Sequence, residues 1–403
     1  MSWPSLSLDT IVTIKGGGTP SKKIEEYWNG DIPWVSVKDF KSTFICDSQD
    51  KITKAGVENS ATNLIPSGSI IIPTRMALGK VGITTAEVAI NQDLKALLIK
   101  DSSKVDPLYL ARFLESKAED IIKQGKGATV KGITLDVLKN IKIPLPPLPV
   151  QKQIAAVLEK ADTLRSQCQQ MEQELNSLAQ SVFLYIVGDK SSEFLNWPQY
   201  PIESLCSTEK GSMRTGPFGS DLKHSEFVKS GYPVIGIDNA VDNEFKWKER
   251  RYITEEKFQK LKRYTVKPKD IIITIMGTVG RVAVIPENIP TSISTKHLAV
   301  LTINDEIALP EFVADAFRYS ILVNRQISKK NKGAIMDGLN LGLIKSLNLR
   351  LPPLQLQNEY LRRKNKLISS LSLCRSEGSE LTDGFNSLMQ RAFKGELELK
   401  DVA

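Results

Sequence analysis

Residues 145–182 read LPPLPVQKQIAAVLEKADTLRSQCQQMEQELNSLAQSV. The proline pair closes whatever precedes it, because proline carries no N–H and restrains the residue before it. Beyond it, Ile154, Val157, Ala161, Leu164, Cys168, Met171, Leu175, Leu178 and Val182 recur at alternating steps of three and four. That is the apolar seam of a coiled coil, sustained over about four heptads. Residues 351–392 open in the same way, with LPPLQLQ, and carry a second seam. Here Leu367, Leu371 and Cys374 precede Leu381, Phe385, Leu388 and Ala392. The spacing relative to the first copy grows by four after Cys374, the size of a stutter that locally unwinds a coiled coil. Two long seams, each in need of a partner, predict that the helices pair with one another.

Working outward, the whole chain repeats. Trp3-Pro4 recurs as Trp197-Pro198, an offset of 194, and Gly79, Val81 and Gly82 as Gly277, Val279 and Gly280, an offset of 198. Pro107 to Ala111 recurs at Pro310 to Ala314, an offset of 203, and Gly127-Ala128 with Leu145 to Leu148 at Gly333-Ala334 with Leu351 to Leu354, an offset of 206. Gln151 falls on Gln357 and Cys168 on Cys374 at that same offset, and Ser177-Leu178 falls on Ser387-Leu388 at 210. An ordered, slowly rising series is what loop insertions in a duplicated chain produce. Each half therefore comprises a block of short β-rich runs, of which Ile70 to Ile72 and Ile271 to Ile273 are clearest, followed by a long helix. Helical stretches from Pro107 and from Pro310 start with proline in the first turn, where it is tolerated. The divisions expected are 1–146, a first helix over 147–188, a second block over 189–352, and 353–403 as second helix and tail.

At 403 residues the chain is too long for one ordinary core. With 41% hydrophobic and 25% charged residues it has the composition of a soluble globular protein. The net charge of +8 is uneven: 19 basic residues stand against 16 acidic in 1–145, and 23 against 18 in 191–350. This permits nucleic-acid binding and also fits ordinary solvated surface. Four cysteines without a CxxC pair, and two histidines, argue against a Cys/His zinc site and fit a reducing compartment. The opening MSWPSLSLDT has no signal-peptide pattern, and no apolar run approaches the ~18 residues that span a bilayer. A cytoplasmic protein is expected.

Catalytic signatures are missing. Gly16-Gly17-Gly18-Thr19-Pro20 lacks the lysine and hydroxyl of a phosphate loop. The Pro-Pro pairs sit between leucines, unlike the site of amino-methyltransferases. Asp93-Leu94-Lys95 and Asp221-Leu222-Lys223 have no preceding Pro-Asp to complete a nuclease motif. His224 and His297 are too far apart in sequence to suggest a triad, and His297 lies in an apolar stretch suited to a packed histidine. The chain is read as non-catalytic.

Taken together, the layout resembles the specificity subunit of type I restriction–modification systems along essentially its whole length. The similarity rests on the opening tryptophans, the run 16–21, Gly216 to Ser220, Gly277 to Gly280 with Ile293 to Val300, and above all Leu-Pro-Pro-Leu-x-x-Gln before each helix. In the first copy Asn91-Gln92-Asp93 stands where the second has Ser294-Thr295-Lys296. The resemblance implies an α+β fold. Two similar α/β target-recognition domains would be joined by two long helices paired as an antiparallel coiled coil with pseudo-twofold symmetry. It implies that each domain binds one half of a bipartite site in double-stranded DNA, and that the helices set the spacer and dock two modification (methyltransferase) subunits. Through these, restriction (endonuclease/translocase) subunits would join. No cofactor is expected in this chain; S-adenosylmethionine, ATP and Mg²⁺ would sit on the partner subunits. A coiled-coil scaffold without DNA recognition, or a detached specificity module of a fused restriction–methylation enzyme, remain as alternatives.

Within such readers, side chains must offer base-edge or phosphate contacts. In the first block the candidates are Ser21, Lys22, Lys23, Lys38, Arg75, Lys80. In the second they are Arg214, Lys223, Asn239, Arg281, Lys329, Lys330 and Lys332. Arg75 and Arg281 stand out, each near a strand end and paired glycines. Any single lysine also fits plain solvated surface.

Overall fold

In a computed structural model, residues 3–127, 131–218, 221–331 and 339–397 are described. Four helices organise them: α1 (Pro107–Ser116), α2 (Leu148–Ile186), α3 (Pro310–Tyr319) and α4 (Leu354–Lys394). The chain forms two compact units, Met1–Gln170 with Arg375–Ala403, and Met171–Cys374. Both unit boundaries therefore run through the long helices.

The first unit begins and ends its domain in one place. Strand Ser5–Ser7 pairs antiparallel with Lys142–Pro144, so the polypeptide leaves beside its entry and turns through Pro146 and Pro147 into α2. Between them lies a five-stranded sheet in the order Val12–Gly16, Leu94–Ile99, Ile70–Pro73, Gly82–Thr84, Phe44–Ile45. A four-stranded sheet, Lys51–Ile52, Trp28–Val35, Val88–Ile90, Leu64–Ile65, stands beside it. The core joins sheet and helices: Ile70, Leu97, Leu110 and Leu114 pack with Ile154 and Leu158 of α2 and Met389 and Ala392 of α4.

The second unit repeats this plan. Gln199–Pro201 pairs with Asn348–Arg350. Its sheets run Met213–Thr215, Leu298–Leu301, Ile271–Thr274, Val282–Val284 and Arg251–Ile253, Tyr232–Ile235, Ile293–Ser294. One parallel pairing also recurs, Trp34 with Ala89 in one unit and Val234 with Ile293 in the other. The strand registers correct two of the sequence alignments. Ile70 faces Ile83 as Ile271 faces Val284, which puts Gly79 on Gly280 and Val81 on Val282, at 201 and not 198. Thr74 N–H donates to the Asp93 carbonyl (2.8 Å) as Ile275 N–H does to that of His297 (2.9 Å). Asn91-Gln92-Asp93 thus matches Thr295-Lys296-His297, one residue later than the sequence suggested.

In each unit the two long helices pack antiparallel. In the first, Ile154 and Leu158 lie in one cluster with Leu388 and Met389, while further along α2 the Arg165 guanidinium sits 4.5 Å over the Phe385 ring. In the second, Phe183 of α2 meets Tyr360 of α4 edge to face. On α4, Phe385 is buried, and Leu367, Leu371, Leu381 and Leu388 are half-buried. No irregularity breaks it, because Gly378 fills the seam position between Cys374 and Leu381; a Cβ there would stand 3.3 Å from Cys168 Sγ.

The α2 seam needs correction. Ile154 and Cys168 are buried, and Val157, Ala161, Leu175 and Val182 are half-buried. Leu164, Met171 and Leu178, however, are exposed at 46%, 54% and 47%. The inward positions that alternate with 154, 161, 168 and 175 are Leu158, Arg165, Glu172 and Ala179, one residue further along. An arginine that stacks on a ring replaces the leucine expected from hydrophobicity alone.

Each domain is pinned to its helix by a buried charge. Arg112 of α1 is fully buried and reaches Glu159 (2.8 Å), Asp162 (2.6 Å) and Glu115 (2.7 Å). Burial works against its charge, but the hydrogen bonds and charges of Glu159, Glu115 and Asp162 outweigh it and raise its pKa above the ordinary value. Replacing Arg112 by Ala takes its cation from Glu159 and one of two from Asp162, which keeps Arg165, so stability should fall by about 3 kcal/mol, the low end for a broken buried pair. Arg112→Met, which keeps the apolar stem, should cost distinctly less; urea unfolding of the two variants checks the order.

Candidate nucleic-acid interface

One edge of the first domain collects the loops. Strand Val12–Gly16 ends where Leu94–Ile99 begins, and that strand begins where Ile70–Pro73 ends (Lys95 opposite Gly16, Leu94 opposite Pro73). Loops 16–23, 74–81 and 91–93 therefore emerge together. The first is locked in place. A Cβ on Gly17 would lie 2.1 Å from the Asn91 carbonyl oxygen, so only glycine fits. Gly18 N–H donates to the Ile90 carbonyl (3.0 Å), and the buried Trp34 indole N–H donates to the Gly18 carbonyl (3.0 Å). The second loop turns through Met76 at φ 64° and Gly79 at φ 85°, a left-handed pair that sharpens its tip.

Around this edge the structure gathers several of the sequence candidates. Arg75 is exposed and lies 3.8 Å from Asp93. Lys80 is exposed, and its ammonium donates to the Phe40 carbonyl (3.3 Å), which brings in the 36–40 turn with the exposed Lys38. Ser21, Lys22 and Lys23 are exposed on the continuation of the glycine loop. Three cations were missed. Gly132, next to Lys131, bridges to both Arg75 and Lys126, and Met76 N–H donates to the Lys131 carbonyl (3.3 Å). Lys95 donates to the Gln92 carbonyl (3.2 Å); burial lowers its pKa, and Asp93 opposes that. A signal for Lys126 was present, since Lys126-Gly127-Ala128 repeats as Lys332-Gly333-Ala334.

The second domain builds the same edge from different side chains. Gly216 repeats Gly17, its Cβ position 2.3 Å from the Thr295 backbone. Arg281 follows Gly280 (φ 81°) and is exposed, at the position of Lys80. Lys223 is exposed on the 221–228 segment, and Lys329 is exposed on helix Ile321–Asn331. The Lys330 side chain and Lys332 lie outside the described residues.

Two candidates leave the set. Arg214 is turned inward: its guanidinium donates to Asp270 (2.6 Å), the Thr265 carbonyl (2.7 Å), the Gly211 carbonyl (3.0 Å) and Thr302 Oγ1 (3.2 Å). It neutralises a carboxylate that is itself fully buried. Asn239 is buried too. Its Oδ1 accepts from Gly236 N–H (2.9 Å) and its Nδ2 donates to the Lys246 carbonyl (2.8 Å), closing a turn as Asp39 does at Ser36 in the first domain. Among the described residues no cluster of three His, Cys, Asp or Glu could hold a metal, and no helix is long and apolar enough to cross a membrane.

Comparison with known proteins follows this geometry. The model for the "Type I restriction modification DNA specificity domain" matches residues 2–177 and again 197–377. The chain is 39% identical over 156 residues to the type I restriction enzyme EcoR124I/EcoR124II specificity subunit of Escherichia coli, spanning 37% of this chain and 38% of that one. It is 23% identical to the MjaIX specificity subunit of Methanocaldococcus jannaschii across 99% of this chain and 94% of the relative. In fold it is similar to the crystal structure of the type I S subunit from M. genitalium, with a TM-score of 0.58 at 17% identity, covering 100% and 97% of the two chains.

Removing Arg214 should therefore cost stability: Arg214→Ala strands Asp270 and should lose about 3–5 kcal/mol. Arg281→Ala, at an exposed site, should stay within about 0.5 kcal/mol of the parent. Equal losses in denaturant unfolding would contradict the two placements.

Proposed function

The chain belongs to the type I restriction–modification DNA specificity family, and from that premise we propose how its parts divide the work. As a specificity subunit it supplies recognition, not catalysis. Each domain reads one half of a bipartite site through the loop edge just described. The observation that carries this is the recurrence of that edge: both domains present a glycine-locked loop, a left-handed tip, and an exposed cation at one matched position, Lys80 and Arg281. Cations of this kind supply phosphate contacts, which position the protein but do not specify sequence.

The long helices set the spacer and receive the modification subunits. Over its 39 residues α2 is about 58 Å long, about 17 base pairs of DNA, enough to place readers on two successive turns. Leu164, Met171 and Leu178, at steps of seven, form an exposed apolar stripe of the kind that a partner helix covers. Two modification subunits, carrying S-adenosylmethionine, would bind here, and restriction subunits with ATP and Mg²⁺ would join through them in the cytoplasm.

Adding one heptad after Glu172 in α2, with a matching heptad near Leu381 in α4, lengthens both helices by about 10.5 Å. The preferred spacer should grow by about 3 base pairs, with both half-site sequences unchanged. Methylation of a plasmid library with randomised spacers reads this out; an unaltered spacer rules out the helices as the ruler. Separately, Leu164→Asp should leave the chain folded, because the side chain is already in water, yet weaken co-purification with modification subunits. Wild-type co-purification would remove this stripe from the docking surface.

A further inference from the structure

The strand registers place the two loop edges in one frame. Met76 and Gly277 share left-handed backbone, at φ 64° and 70°, and Gly79 and Gly280 share it at 85° and 81°. Both tips close alike, Leu78 N–H donating to the Met76 carbonyl (2.9 Å) and Val279 N–H to the Gly277 carbonyl (3.0 Å). The backbone is held constant while the side chains on it change. Arg75 corresponds to Met276, and both are exposed. Asp93, which faces Arg75, corresponds to His297, and Gln92 to Lys296.

We infer that Arg75, oriented by Asp93, fixes a guanine in the half-site of the first domain, and that Met276 gives the second domain an apolar contact suited to a thymine methyl at the equivalent position. This rests on the reading that these edges face DNA. The geometry separates the two roles within the pair. The Asp93 side chain is 10% exposed against 59% for Arg75. The carboxylate is also fixed at its root: Asp93 N–H donates to Asn91 Oδ1 (3.1 Å), and its carbonyl accepts from Thr74 N–H (2.8 Å) and Thr74 Oγ1 (3.1 Å). Asp93 is thus a positioning residue. Its charge, 3.8 Å away and not hydrogen-bonded, draws in one side of a guanidinium whose outer edge stays in solvent, where the planar fork matches the O6 and N7 acceptors of guanine.

The second domain has no counterpart to that pair. Met276 offers no hydrogen-bond donor, and burial together with the charges of Lys296 and Arg251 lowers the pKa of His297, which leaves it a neutral ring at pH 7. The Arg251 guanidinium is itself engaged by Asp238. An exposed thioether beside a left-handed turn is what an apolar contact to a C5-methyl group requires.

The test uses the chain assembled with its modification subunits, methylating a plasmid library degenerate in both half-sites. Arg75→Met should reduce the guanine preference at one position of the first half-site by a factor of about 5–150, the range for loss of a bidentate pair, and leave the second half-site unchanged. Arg75→Lys keeps the charge but not the fork. It should weaken the same preference, less than Arg75→Met does because an ammonium still reaches guanine, while the salt dependence of binding to random DNA stays as in the parent. Asp93→Asn should weaken that preference without altering the salt dependence, which a merely structural role would not single out. Met276→Arg combined with His297→Asp should install a guanine requirement in the second half-site, and Met276→Arg alone should not. If Arg75→Met weakens all sequences uniformly, Arg75 contacts phosphate and the assignment is wrong. A parent complex that methylates without any bipartite preference would instead overturn the reading of the domains as DNA readers.

Discussion

One buried amide in each domain holds it to its long helix, and the geometry of everything else follows from this pair. Gln151 is fully buried at the first turn of α2. Its Oε1 accepts from Asp106 N–H, the cap of α1, at 2.9 Å, and its Nε2 donates to the carbonyls of Lys104 and Pro146, both at 2.8 Å. Gln357 does the same for α4, accepting from Leu309 N–H (2.9 Å) and donating to the Pro352 carbonyl (2.8 Å). One side chain thus joins the short helix, the proline turn and the long helix. A buried amide with a broken partner costs about 1–3 kcal/mol, so these partners cannot drift apart singly. The Pro-Pro turn, the terminal strand pair and the direction of the long helix become a single rigid corner. A loop edge built on such a domain keeps a fixed relation to the helix that leaves it.

Onto this shared corner the two units put opposite charges. Arg112 of α1 meets Glu159 and Asp162 of α2. At the matching place in α3 stands Asp315, which accepts from the Tyr360 hydroxyl (2.6 Å) and pairs with Lys364, both on α4. Burial first, and Asp315 next, push the Tyr360 pKa up, so the phenol remains a donor. Exchanging the partners would set Arg112 against Lys364, or Asp315 against Asp162, and a buried like-charge contact is strongly unfavourable. The amide corner is common to both domains, whereas the charge makes each fit its own helix.

This explains what could be read from the sequence and what could not. The duplication, the proline corners and the long helices were legible because each depends on residues with narrow backbone or periodic demands: Pro146, Pro352, Gly79, Gly280 and the seam leucines of α4. On α2 hydrophobicity does not mark burial, since Leu164, Met171 and Leu178 are exposed. The inward positions belong to Arg165 and Glu172, and no local pattern reveals that the Arg165 guanidinium stacks on Phe385, 220 residues further along the chain. Arg214 and Asn239 were chosen for chemistry that suits DNA, and the same chemistry suits an interior carboxylate or a turn. Hydrogen-bonding capacity can be read from a residue type, but the direction a side chain takes depends on the fold. The alignment of the tips, three residues out at Gly79, shows the same limit, since glycines mark turns without fixing register.

The two kinds of position at the loop edge also differ in what substitution does to the fold. Gly17 and Gly216 face backbone at 2.1 and 2.3 Å and tolerate no side chain, while Arg75 and Met276 project from tips whose backbone is satisfied without them. Exchanges at exposed tips change stability by little, typically within about 0.5 kcal/mol. A change of base preference at such a tip therefore leaves the sheet, the corner and the helix untouched. The two domains of this chain already differ in these side chains, with one backbone carrying an arginine beside an acid in the first and a methionine beside an imidazole in the second. A duplicated reader of this design can diverge in the sequence it selects while both copies keep the same hold on the helices.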